Sequence, residues 1–187
     1  MTGHILQECE KILEQIVFQD ISIANGEQQL NKIIKSGAVT RNTVDKFGDT
    51  LLHRVALNSK FLFGDLPIID WVKRFIRRLI VKEGYDPNTK NGDGKTLLFC
   101  FTTGTPRDQF WYTFMQELIE KYNANPLITI LFISQANLRQ YIDRQWLYDS
   151  RKGEVTVKPF LDYLKEYERK MTGQIKPTLW SVHSLKL

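Results

Sequence analysis

The chain has 187 residues, 42% hydrophobic and 25% charged. Those values exclude disorder as the main state and suffice for one ordinary domain or two small ones. The formal net charge of +5 favours acidic surfaces in general but is too modest to declare a nucleic-acid binder. The two cysteines, Cys9 and Cys100, show neither CxxC nor Cys/His spacing, which argues against zinc. Buried free thiols in a reducing compartment are the simpler reading; a single disulfide is the other. No stretch approaches the ~18 apolar residues of a membrane span. The N-terminal "MTGHILQECEKILEQ" has no uninterrupted apolar core of a signal peptide. These features lead to the expectation of a soluble, cytoplasmic protein with no metal and no cofactor.

A first helix is expected over roughly 4–19, where Ile5, Cys9, Ile12, Leu13 and Ile16 share one face. A second is expected near 27–36, stopped by Gly37. Residues 42–57 then read "NTVDKFGDTLLHRVAL". Asp45 suits a tight turn, Gly48 supplies positive φ, and Thr50 caps a helix over 50–57. A longer helix follows over 67–83 and ends at Gly84, with Pro87 shortly after. Residues 88–103, "NTKNGDGKTLLFCFTT", align without a gap on 42–57. Asn91, Gly94 and Thr96 occupy the slots of Asp45, Gly48 and Thr50. Helices over 96–103 and 108–122 follow, and Asn123 sits in the glycine slot with Pro126 after it. A fourth unit begins within "ITILFISQANLRQYIDRQWLYD" but lacks the turn signature. A further helix over 154–170, starting near Pro159, has the mixed face of an end cap. The remainder, with Leu179 and Trp180, reads as an extended tail.

Internal repetition of this kind marks a stacked architecture. The pattern resembles the ankyrin repeat: "GDTLLHRVA" carries the Thr, Leu, His and Ala of that family, with Leu51 in place of the usual Pro, and "GKTLLFCF" has Phe99 in place of His. "GYDPN" matches the exit, with Tyr85 for Ala. Thr50 and Thr96 lie 46 residues apart, longer than the 33 of the family, with the excess in 58–71, and the next unit has a smaller excess in 102–112. The resemblance implies an all-α, ankyrin-like helical solenoid of 3–4 degenerate repeats over 1–150, with a capping helix and tail over 151–187. It implies a monomeric, non-enzymatic module that binds a partner protein on its concave face and hairpin tips. The tips Lys46, Phe47, Asn91 and Asp93 and the inner-helix residues Arg54 and Asn58 would face that partner. His53 would tie neighbouring turns together. The turn variants "TLLH" and "TLLF", with their large insertions, resemble those of bacterial or viral ankyrin proteins, which implies an effector acting in a host cell, delivered there or expressed there.

Two other readings stay open. The segment "DWVKRFIRRLIVK" places Lys73, Arg74, Arg77 and Arg78 on one helix strip opposite Val72, Phe75, Ile76, Leu79 and Ile80. Such a strip could hold nucleic acid or another anionic surface, or be a solvated face. A second group, Lys152, Lys158, Lys165, Arg169 and Lys170, is dispersed among acids. Alternatively the chain is the repeat portion of a larger enzyme. Aromatics in the insertions (Phe61, Phe63, Trp71, Phe110, Trp111, Tyr112) either pin the loops or anchor a partner. A Cys100–His53 nucleophile and base is disfavoured, because Cys100 lies in an apolar helix. "GDGK" lacks the rest of a P-loop.

Overall fold

A computed structural model of the chain describes residues 2–59, 62, 65–102, 109–129, 136–149 and 154–174. All regular structure among them is helical: α1 (Thr2–Val17), α2 (Ile23–Lys35), α3 (Leu51–Asn58), α4 (Leu66–Val81), α5 (Leu97–Thr102), α6 (Gln109–Tyr122), α7 (Leu138–Asp149) and α8 (Glu154–Gln174). The expected aromatics Phe61 and Phe63, the side chain of Phe110, Lys152, and the tail residues Leu179, Trp180 and His183 lie outside the described residues.

Each helix is set by short-range chemistry. On α1 the buried residues Leu6, Cys9, Leu13 and Ile16 recur at spacings of three and four, the stripe that faces a core. Ser22 caps α2 by accepting the Asn25 N–H at 3.3 Å. Gly26 lets α2 lie tight on α1, since a Cβ there would sit 2.4 Å from the Ile16 side chain. Asp65 caps α4 by accepting the Ile68 N–H at 3.2 Å, and Pro67 follows in the first turn. The exits are as the sequence predicts. Gly37, Gly84 and Asn123 stand at φ of 73°, 71° and 57°, the left-handed state that glycine and asparagine tolerate best. Beyond two of these exits the Tyr85 N–H reaches back to the Leu79 carbonyl and the Ala124 N–H to the Leu118 carbonyl, each at 3.1 Å.

Packing follows chain order. α1 lies against α2 and α3, α3 against α4 and α5, and α5 against α7, while α8 covers α6 and α7. One continuous core runs through the stack, from Leu6 and Cys9 through Leu52, Ile76 and Leu98 to Phe160 and Leu164. Burying each large aliphatic side chain contributes about 1.5–3 kcal/mol, so this core is the main stabilising term. The described aromatics next to the insertions pin rather than protrude. Trp71 is buried, stacks on Phe75 at 5.3 Å and donates to Glu27 at 3.3 Å. Trp111 is buried and stacks on Phe101 at 5.2 Å.

One expectation needs correction. α8 starts at Glu154 rather than near Pro159, which lies inside the helix. Pro159 lies in the second turn of α8, past the N–H groups that have no intrahelical partner, so it removes the bond to the Val155 carbonyl. α7 starts on a cap of its own. Asn137 Oδ1 accepts the Gln140 N–H at 3.0 Å, and Gln140 Oε1 accepts the Asn137 N–H at 3.1 Å, a reciprocal capping box.

Candidate functional site

The two aligned turns are built by the same bonds. Asp45 Oδ1 accepts from the N–H groups of Phe47 and Asp49 at 2.8 and 3.0 Å. Asn91 Oδ1 accepts from those of Asp93 and Lys95 at 3.1 and 2.9 Å. Gly48 and Gly94, at φ of 73° and 74°, close the two tips. The tips then dock on each other. The Gly92 N–H donates to the Phe47 carbonyl at 2.8 Å, and Asn91 Nδ2 donates to Asp49 at 2.7 Å. A Cβ on Gly92 would lie 2.4 Å from that carbonyl oxygen, so only glycine allows the approach.

His53 adds a third tie. Its Nε2 lies 3.0 Å from the Thr89 carbonyl, which can only accept, so Nε2 carries the proton. Nδ1 then accepts the Thr50 N–H at 3.1 Å and lies 2.8 Å from the Thr50 hydroxyl. Burial holds the imidazole below its ordinary pKa of 6.5; the Thr89 carbonyl and the nearby Asp49 pull the other way without offsetting it. In the next turn Phe99 takes the histidine slot and stands edge-on to Tyr141 at 5.7 Å. The buried Thr96 hydroxyl is left without a hydrogen-bond partner among the described residues. Thr96→Val should therefore change stability by no more than about 0.5 kcal/mol, or raise it, because it removes an unsatisfied polar atom. Thr50→Val should cost about 1 kcal/mol by the same logic of capping. Thermal melts of the two variants side by side check this contrast.

The sequence-predicted site residues divide. Lys46 and Phe47 are exposed at the first tip, with Phe47 57% accessible and Val44 beside it at 44%. The Lys46 ammonium and the Arg54 guanidinium lie 4.9 and 5.4 Å from the centre of the Phe47 ring. Asp93 is exposed at the second tip and pairs with Lys95 at 3.1 Å. Asn91 is engaged inside its own turn and with Asp49. Arg54 and Asn58 are not presented outward. The Arg54 side chain is 13% exposed and donates to Asp45 at 2.7 Å and to Glu10 at 2.8 Å, with Asp49 at 3.4 Å. Asn58 is buried and donates to the Arg54 carbonyl at 3.1 Å.

The basic strip is divided in the same way. Arg77 makes a two-pronged pair with Glu117 of α6, at 2.9 and 2.6 Å. Arg78 donates to Asn31 of α2 and lies 3.4 Å from Glu83. Lys73 lies 5.9 Å from the ring centres of Trp111 and Phe114. Arg74 is the exposed member. Two of the four cations therefore hold α4 to its neighbours. Cys9 and Cys100 are buried and unbridged; burial pushes the Cys9 thiol up to about 12 and moves Cys100 the same way. Such thiols are poor nucleophiles at neutral pH. Both nitrogens of His53 are already occupied.

No family model, curated protein or solved structure matches the chain.

Among the described residues no cluster of three His, Cys, Asp or Glu is placed to hold a metal ion, and no helix is long and apolar enough to cross a membrane. The residues that sequence reasoning missed are Glu10, Asp49 and Gly92. Asp49 and Gly92 sit inside the aligned turns, where one carries a charge and the other lacks a side chain. Glu10 carries no local sign at all, because its partner is 44 residues away.

Proposed function

We propose that the chain is a non-enzymatic protein-binding module, an ankyrin-like solenoid in which the turns form a recognition edge. The observation that carries this reading is the exposed Phe47 ring on a fully bonded turn. Its N–H is held by Asp45 and its carbonyl by Gly92, so the backbone that carries the ring is fixed before any partner arrives. A pre-set aromatic loses little conformational freedom on binding and makes a good anchor. The repetition of the turn bonds and the succession α1, α3, α5, α7 support the stacked-repeat reading. The reading as a nucleic-acid or anionic-surface binder through residues 73–78 is weaker, because Arg77 and Arg78 are engaged in ties between helices.

The test is affinity capture from a nuclease-treated eukaryotic cell lysate, with the wild-type chain and Phe47→Ala as parallel baits. The captured protein is then purified and titrated by calorimetry. A protein bound directly by the wild type and about tenfold or more weaker with Phe47→Ala is the expected result. Retention that nuclease abolishes would overturn the reading.

A further inference from the structure

The charges around the first tip are sorted by sign. The carboxylates Asp45 and Asp49 are turned inward, with side chains 6% and 5% exposed, and are held by Arg54, by Asn91 and by backbone N–H groups. The cations Lys46 and Lys90 of the two turns are exposed. Lys46 enters no ion pair among the described residues, and Lys90 donates to the Thr129 carbonyl at 3.2 Å, which leaves its charge uncancelled. The outward acid of the second tip, Asp93, is already paired with Lys95. Phe47, beside Lys46, and Val44 of the same turn are exposed apolar groups.

We infer that this tip docks an acidic segment of a partner protein that carries a large aliphatic side chain. The inference rests on the protein-binding reading above and names the chemistry of the partner. The aliphatic group would cover the exposed Phe47 and Val44. A flanking carboxylate would meet Lys46 at an exposed site, where ion pairs steer encounter and fix register more than they add affinity. The Lys46 ammonium already sits near the Phe47 ring, so a carboxylate meeting it lies close to the apolar contact.

The experiment is selection from a phage-displayed library of random peptides about twelve residues long, on the immobilised full chain after depletion on the Lys46→Glu/Phe47→Ala double variant. Both side chains are exposed, so the double variant should melt within about 2 °C of the wild type, as surface substitutions do. Recovered peptides should be rich in Asp and Glu around one Leu, Ile or Met. Their affinity should fall about tenfold or more with either single substitution and should weaken as salt is raised. Peptides without acidic enrichment, peptides indifferent to both substitutions, or no peptide retained above the double variant would each overturn the inference. A lysate protein that depends on Phe47 but is insensitive to Lys46→Glu would overturn it while leaving the protein-binding reading intact.

Discussion

Replacing Arg54 with alanine should destabilise the chain by about 3 kcal/mol or more, the cost of stranding buried carboxylates without their cation. Three acids converge on this one guanidinium: Asp45 and Asp49 from the first turn and Glu10 from α1. Burial alone would raise the Asp45 pKa, but the Arg54 hydrogen bond and the N–H groups of Asp49 and Phe47 outweigh it and hold the carboxyl below its ordinary range. Without Arg54 the acids repel one another in a partly desolvated site. At the 2–4 °C per kcal/mol typical of a chain this size, the melting temperature should drop by about 6–12 °C. Arg54→Lys should recover only part of the loss, since an ammonium cannot reach several carboxylates with a planar fork. The sign of the pH dependence adds a check. The Asp45 contribution is present above its unfolded pKa and is lost as pH falls through its depressed folded value. The variant never had it, so the gap to the wild type should narrow as solutions are acidified through the carboxylate range. Urea unfolding at several pH values measures this directly.

This prediction also shifts the role of Arg54. Its position one residue after His53 suggests an outward-facing inner-helix side chain, and the residue instead joins the first turn to α1. The reason it is hard to read from sequence is distance: two of its acids are local, but the third is on another helix. The readable parts of the fold were those set within a few residues. Gly37, Gly84, Asn123, Gly48 and Gly94 announce their backbone states through residue type alone. The alternation of apolar positions gives most helix bounds within a few residues. Pro159 misleads because a proline usually marks the first turn of a helix, and here it lies in the second turn of α8. The basic strip misleads in a different way. Periodicity places four cations on one face of α4, but only the packing of α2 and α6 reveals that Glu117 and Asn31 stand opposite two of them. Of the proposed binding edge, the exposed tip at Lys46 and Phe47 is legible, whereas the docking of Gly92 on Phe47 depends on two turns meeting in space.

That docking gives His53 the second large effect. His53→Ala should cost about 1–3 kcal/mol at pH 7.5, because it leaves the buried Thr50 N–H and the partly buried Thr89 carbonyl without their partner. The wild-type chain should in addition lose stability on mild acidification. The folded pKa of His53 lies below the unfolded value of 6.5, so the unfolded chain binds the extra proton first. Stability is therefore complete above about pH 7 and falls as pH drops below 6.5 towards the folded pKa, by at most about 1.4 kcal/mol per pH unit. Below the folded value the difference stays constant. The structural cause is visible in the bonds: a proton on Nδ1 would face the Thr50 N–H, so the seam between α3 and the second turn cannot hold the charged ring as it holds the neutral one. His53→Gln should be less stable than wild type at pH 7.5 and should lack this slope between pH 7 and 5. If the two slopes are equal, the buried imidazole is not the titrating group. If only the wild type bends, the tie between the turns is acid-labile, and presentation of Phe47 should weaken over the same range, because Thr89 belongs to the turn whose Gly92 holds the Phe47 carbonyl.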